Sequence, residues 1–431
     1  MTNEKSNPKE GPPKQSASEI FLEEISKPPP KQRSRWRGIG QAIAIPALAV
    51  FTGLLLGAVF IVLTSESFYA AWSISPIAGL KEAWDIVVTA YSALFVGAIG
   101  SPKEIISAII NLDPEALREA LYPLTESLVA ATPYIFGGLS VALGFRVGLF
   151  NIGAEGQIFM GAIFAAFVGY SITGLPALIH IPLTFLAGAL GGAFWGFIPG
   201  WLKAKTGAHE VINTIMLNYI AFRLSDYLLT GPMQRPDSFN PVSPTIMDSA
   251  KLTRFFDDPI RLHLGFIIAL GMAWLVWWFL FKTEWGFYLR SVGANLHAAR
   301  YAGMNVPLAI ILGMTLAGAL AGMAGGNEVL GVNYNLAMAF SSGYGFDSIA
   351  IALMGKSHPL GVVLAALLFG ALRNGATSMM LATGIPIDII SIVQAFVLVF
   401  VAAPAIIRTI YRLKPPPEGE EGIMVSSWGG D

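Results

Sequence analysis

A succession of long apolar runs limits what this chain can fold into more than any other feature. The first begins near residue 40 and continues for roughly 24 residues, enough to cross the roughly 30 Å hydrocarbon core of a bilayer as a helix. It starts too late and runs too long for a cleaved signal peptide, so it reads as a retained span. Nine more segments follow, near 124 to 144, 157 to 174, 180 to 201, 210 to 229, 262 to 281, 306 to 325, 345 to 355, 359 to 380 and 386 to 408. Backbone polar groups in lipid have to be satisfied within the protein, which favours helices. The expectation is an all-α polytopic membrane protein with about ten transmembrane helices. Composition agrees: 54% of the 431 residues are hydrophobic and 13% charged, against about a quarter charged in soluble domains.

Basic residues set the expected orientation. Arg146, then Lys203 and Lys205, then Lys282, Arg290 and Arg300, then Lys356, then Arg408, Arg412 and Lys414 fall in short connections, and such loops face the cytoplasm. Ten spans put all of them inside, with both termini cytoplasmic. Ser65 to Pro123 holds three basic residues (Lys81, Lys103, Arg118) against seven acidic ones (Glu66, Glu82, Asp85, Glu104, Asp113, Glu115, Glu119) and fits the outer side. Within it, the apolar stretch Ile86 to Gly100 covers about fifteen residues, short of the roughly 17 to 25 that a span needs. An interfacial helix is expected there. Residues 1–38, rich in Lys, Pro, Ser and Glu and closing on Lys31, Arg33, Arg35 and Arg37, are expected as a disordered cytoplasmic tail. A transmembrane domain over 39–413 and a second cytoplasmic tail over 414–431 complete the division.

Several chemistries are disfavoured. There is no Cys, and the five His residues are scattered without metal-ligand spacing, so no metal or other cofactor is expected. Basic residues gather at segment boundaries rather than in a patch suited to phosphate backbones, which argues against nucleic acid. Gly355, Lys356 and Ser357 read G-K-S, but a phosphate-binding loop needs glycine where Ala350 stands. No Ser/His/Asp, paired-acid or H-E-x-x-H arrangement points to an intramembrane enzyme.

Two interruptions are more than an anchor requires. Arg146 to Gln157, R-V-G-L-F-N-I-G-A-E-G-Q, sets Asn151, Glu155 and Gln157 among glycines, and Gly343 to Pro359 carries Asp347 in a segment too short to cross. Non-helical backbone and carboxylates at membrane depth are tolerated only inside protein or against a wet cavity, and the pairing suggests an internal repeat. Glu155 and Asp347 either contact a solute or ion, or accept hydrogen bonds from the exposed amides of a broken helix. Asn213 and Asn218 stand about 140° apart on a helix, so they do not share a face, and either could line a path. Phe136, Asn151, Gln157 and Asn333 are further pathway candidates, an aromatic wall suiting a stacked base. Gly188, Gly192, Gly196 and Gly200, with Gly318, Gly322 and Gly326, recur every fourth residue and are expected to bring helix backbones together.

In the basic segment Thr283 to Val306, Asn295 is placed to cap a short helix beginning at Leu296, and Gly303 to close it in the left-handed conformation. About two turns of helix are marginal alone and gain by docking into another protein.

The runs G-L-F-N-I-G-A-E-G-Q from Gly148, E-V-I-N-T-I-M-L-N-Y-I from Glu210, T-E-W-G-F-Y-L-R-S-V-G-A-N-L-H-A-A-R-Y-A-G from Thr283 and G-F-D-S-I-A-I-A-L-M-G from Gly345 resemble bacterial ABC permeases of the branched-chain amino acid, ribose and nucleoside group. The resemblance covers roughly 120 to 405 and is closest to the nucleoside type. It implies a subunit of the bacterial inner membrane that imports a small polar solute and hydrolyses nothing itself. It also implies a separate ABC ATPase subunit, a second related permease subunit and an extracytoplasmic solute-binding protein. The short helix would be the coupling helix, with Gly286, Arg290, Gly293, Asn295, Ala298, Ala299 and Gly303 carried over. A ribose-like sugar permease and an ion-coupled secondary transporter are the alternatives.

Overall fold

The fold, that of a computed structural model, is described for residues 35–413 except 237 and 387. The expected tails therefore fall outside the described residues over 1–34 and 414–431, while Arg35 to Gly38, expected as the end of the first tail, form the opening turn of a helix. Contacts group the chain into Met1–Ala47 and Leu48–Asp431. The described part of the first is the opening of one helix, and the bundle belongs to the second. The helices are α1 (Arg35–Leu63), α2 (Glu66–Ile74), α3 (Pro76–Ile99), α4 (Pro102–Ile110), α5 (Pro114–Arg146), α6 (Ala154–Ser171), α7 (Ala177–Thr206), α8 (Glu210–Leu229), α9 (Leu264–Lys282), α10 (Glu284–Ala294), α11 (Leu296–Tyr301), α12 (Val306–Asn327), α13 (Tyr344–Met354), α14 (Pro359–Thr383), α15 (Asp388–Ala402) and α16 (Pro404–Ile410). A π-helical turn, Glu328–Asn333, extends α12. Among the described residues there are no strands beyond two isolated bridges. Seven of the helices are long and apolar enough to cross a membrane, and α13 and α15 are shorter apolar ones. The protein is an all-helical polytopic membrane protein.

The core is an α7–α12 pair with α6 and α5 against it. Gly192 faces Gly318 and Gly322, and Gly196 faces Met314 and Gly318. Gly161 of α6 meets Gly322, and Gly325 meets Ile158. A Cβ at these positions would overlap backbone on the facing helix, so side-chain deletion is what lets the axes approach. The apolar solvent outside supplies no hydrophobic drive for such contacts, and van der Waals packing has to supply it. The glycine ladders read from the sequence are this seam.

The two ends of the bundle are chemically distinct. At one end, Arg146 Nε donates to Ser357 O at 2.9 Å, Arg290 Nε donates to Leu280 O at 2.8 Å, and both guanidinium groups lie over the Phe281 ring, at 5.5 and 5.1 Å. Lys203 pairs with Glu210 at 2.5 Å. This is the basic end. At the other, Arg118 holds the backbone of Asp257 and Asp258, and His180 bonds Ser249 at 2.8 Å.

Helix α3 departs from expectation in length. Ser75 caps it, accepting from Ala78 N, and Pro76 pre-sets the first turn, so the helix runs 24 residues instead of the fifteen apolar ones visible as Ile86 to Gly100. Its length would let it cross. Glu82, Asp85 and Thr89 share a cleft with Ser65 and Thr383. At the other end, Ser127 Oγ donates to Ala98 O at 2.7 Å, and Asn374 Nδ2 bridges Gly97 O and Pro123 O at 2.9 Å each.

Candidate functional site

Two helices begin part-way through the bundle and meet. After α5 ends at Arg146, residues 147–153 turn back: Gly148 takes φ +76°, a conformation glycine adopts without strain, and Leu149 N bonds Gly144 O at 2.9 Å. Helix α6 then starts inside the protein. Asn151 and Gln157 exchange side-chain hydrogen bonds at 2.9 and 3.2 Å, and Asn151 Oδ1 also accepts from Gly153 N at 3.1 Å. Asn218 of α8 closes the remaining gap, accepting from Gly156 N at 2.8 Å and donating to Ile152 O at 3.0 Å. Asn151, Gln157 and Asn218 are all buried. The orphan amides that any helix start leaves are met here by neutral side chains.

The second break lies between the π turn and α13, and it is met by charge. Glu155 of α6, 2% exposed, accepts from Ser341 Oγ and Gly345 N, both at 2.5 Å. Its carboxylate thus caps the N-terminus of α13, where the helix dipole favours an anion. Burying a carboxylate costs several kcal/mol, and charge-assisted hydrogen bonds of about 1.5–3 kcal/mol each offset it. Gly345 has no space for a Cβ because the backbone of Ala154 and Glu155 lies against it.

One turn into α13, Asp347 accepts from Tyr134 OH at 2.8 Å and stands 3.6 Å from Arg373 Nη1. Arg373 donates to the same Tyr134 oxygen at 2.8 Å and lies 5.4 Å from the Tyr344 ring centre. At 1.5 Å per residue, Tyr134 is about 18 Å along α5 from Arg146, and Arg373 about 21 Å along α14 from Pro359. The cluster therefore lies near mid-depth of a roughly 30 Å core. The Asp347 and Arg373 side chains are each 33% exposed.

The remaining expected pathway residues are scattered. Phe136 is fully buried, packed 5.8 Å from Phe185. Asn213 is half-buried with its Nδ2 unpartnered. Asn333 is exposed at the end of the π turn. The structure thus joins Glu155 and Asp347 at one helix start, gathers Asn151, Gln157 and Asn218 at the other, and leaves Phe136, Asn213 and Asn333 outside both. Tyr134 and Arg373 are additions. An arginine in the 25-residue apolar stretch of α14 is the signal that finds the second, because charges at that depth are costly and tend to be functional.

At the basic end, Asn295 Oδ1 accepts from Ala298 N at 2.9 Å and Gly303 takes φ +82°, bounding the six-residue α11. It is preceded by an eleven-residue helix, α10, so the segment is a helix pair. Gly286 lies against the backbone of Phe279 and Leu280, and Gly293 against Arg146 to Gly148. These two glycines, with Arg290 and the buried Ala299, are occupied within the subunit. The outward face belongs to Leu296, His297, Ala298, Arg300 and Tyr301, the last 96% exposed.

Comparison with known proteins decides the family. Residues 124–402 match the family described as branched-chain amino acid transport system / permease component. This chain belongs to that family. Among similar proteins, the guanosine ABC transporter permease protein NupP of Bacillus subtilis is 38% identical over 85% of this permease and 95% of its own length. The nucleoside ABC transporter permease protein NupB of Lactococcus lactis is 34% identical over 85% and 93%. The glucose ABC transporter permease protein TsgB13 of Haloferax volcanii is 37% identical over 73% and 85%. These relatives are permease subunits of ABC transporters. No solved structure matches.

Proposed function

We propose that this permease carries nucleosides into a bacterial cell across the inner membrane, driven by a separate ABC ATPase and supplied by an extracytoplasmic solute-binding protein. A second, related permease completes the path. The transmembrane domain spans 39–413, with the basic end and both tails (1–38 and 414–431) in the cytoplasm. Likeness to two nucleoside-type permeases over most of their length supports the solute.

One contact carries the mechanism: the α10–α11 pair rests through Gly293 on Arg146 to Gly148, the hinge between α5 and α6. The outward face of α11 is the ATPase-facing surface. Arg146 in turn holds Ser357, just past the end of α13, and the other end of α13 is held by Glu155 of α6. A push on α11 is thereby delivered to both helix breaks at once. Sub-ångström shifts spread through such close packing because packed interfaces do not deform continuously.

The test is uptake of labelled guanosine into vesicles holding the whole complex. It should require ATP and the ATPase subunit and survive an uncoupler, and Tyr301→Asp should abolish uptake while leaving the amount of inserted permease unchanged. Uptake by this subunit alone down an ion gradient would refute it. The 37% likeness to a glucose permease favours a sugar as the second reading, and glucose that competes for guanosine uptake would support it. Nucleosides and glucose share a ring bearing adjacent hydroxyls.

A further inference from the structure

The Asp347–Arg373 pair has hydrogen-bonding capacity that the protein leaves unused. Among the described residues, Asp347 accepts one hydrogen bond, from Tyr134 to Oδ2, and Arg373 makes one, from Nη1 to Tyr134. A carboxylate has about four acceptor positions and a guanidinium five donors. Atom Oδ1 of Asp347 and most of the Arg373 fork therefore have no protein partner, and the fork's remaining nitrogens are not among the buried unpartnered atoms. Both side chains are one-third exposed near mid-depth of a chain whose outer faces meet lipid. A charge exposed there faces a water-filled path rather than hydrocarbon. The fully buried Tyr134 hydroxyl links the two groups from behind and fixes their spacing.

A spare acceptor beside a spare planar donor fork complements a group that offers a donor and an acceptor side by side. Adjacent hydroxyls on a sugar ring do this: one O–H donates to the carboxylate while the neighbouring oxygen accepts from the guanidinium. The Tyr344 ring beside Arg373 offers an apolar face next to it. We infer that Asp347 and Arg373 form a mid-membrane solute contact that reads the cis-diol of a ribosyl ring. This rests on the nucleoside reading above and adds a residue-level discriminator to it. A site built to hydrogen-bond a hydroxyl rejects an analogue lacking it far more strongly than an apolar pocket does.

The test uses the whole complex in proteoliposomes, with binding protein saturated by either guanosine or 2′-deoxyguanosine, so that maximal transport rate reports the step inside the membrane. The wild type should move guanosine at least ~10-fold faster than the deoxy analogue. Asp347→Asn should cut the guanosine rate at least ~10-fold while changing the deoxy rate less than ~3-fold, collapsing the ratio toward one. Arg373→Lys, which keeps the charge but loses the fork, should lower the ratio partly, and Arg373→Met should abolish it. Equal loss for both solutes, or an unchanged ratio in Asp347→Asn at wild-type amounts of inserted protein, would overturn the site while leaving the nucleoside reading intact. A wild-type complex that moves neither solute would overturn that reading and the site with it.

Discussion

The two helix breaks solve one problem in opposite ways. Both leave the first amides of a helix stranded inside the protein. At the start of α6 the amides are met by Asn151 and Asn218, neutral and buried, with Gln157 bracing Asn151. At the start of α13 they are met by the Glu155 carboxylate, and a one-third exposed pair of opposite charges stands one turn away. A neutral amide network with every partner internal has one good arrangement and strong reason to keep it. A charged junction whose side chains are one-third exposed can exchange partners with water or solute at lower cost than a sealed one. The contrast predicts that the first break holds as a fixed joint while the second changes state during transport.

That contrast is open to substitution. The largest loss of stability is expected at the closed break, where Asn218→Leu strands Gly156 N–H and Ile152 C=O without access to water, about 1–3 kcal/mol for each. Thermal unfolding of the permease in detergent should shift down by several degrees, and a variant as stable as wild type would mean that the break is held by backbone packing. A smaller stability change is expected for Glu155→Gln, which keeps an oxygen for Gly345 and Ser341 but removes the charge, about 1–2 kcal/mol. Its larger effect should be on transport, since the α13 cap is weakened in one state of the cycle, and uptake should fall several-fold at normal expression. Least of all, Asn333→Ala should leave unfolding within about 0.5 kcal/mol of wild type, as for exposed positions without partners.

Much of this was legible in sequence because the bilayer permits so few solutions. Every expected span overlaps a helix, although the last divides into α15 and α16 and neither α6 nor α8 is among the seven long and apolar enough to cross, and the N-cap at Asn295 and the left-handed Gly303 follow from local chemistry alone. Helix α3 was misjudged in length because Lys81, Glu82 and Asp85 interrupt its hydropathy without interrupting its hydrogen bonds. Glu155 and Asp347 could be singled out by their cost at membrane depth, but their partners come from Ser341, Tyr134 and Arg373, between 26 and 213 residues away in the chain for the contacts described. Periodicity carries no information about such meetings. The carried-over glycines Gly286 and Gly293 illustrate a different limit: a motif says that a residue is constrained without saying by what, and here the constraint is packing inside the subunit.

The central claim is that the charged break opens on water at mid-membrane. The chain has no Cys, so single cysteines can be read without background. Thr377 is exposed one turn from Arg373 on the same face of α14. Leu364, 60% exposed, lies about 180° around that helix, and Thr214 is buried beside the closed break. Reaction with a membrane-impermeant charged thiol reagent needs a hydrated thiolate. With the complex in lipid nanodiscs, Thr377→Cys should react at a rate that changes on ATP binding, and at least ~10-fold faster than Leu364→Cys or Thr214→Cys. A Thr377→Cys as inert as Leu364→Cys in every nucleotide state would place the charged pair away from any aqueous path and contradict the account.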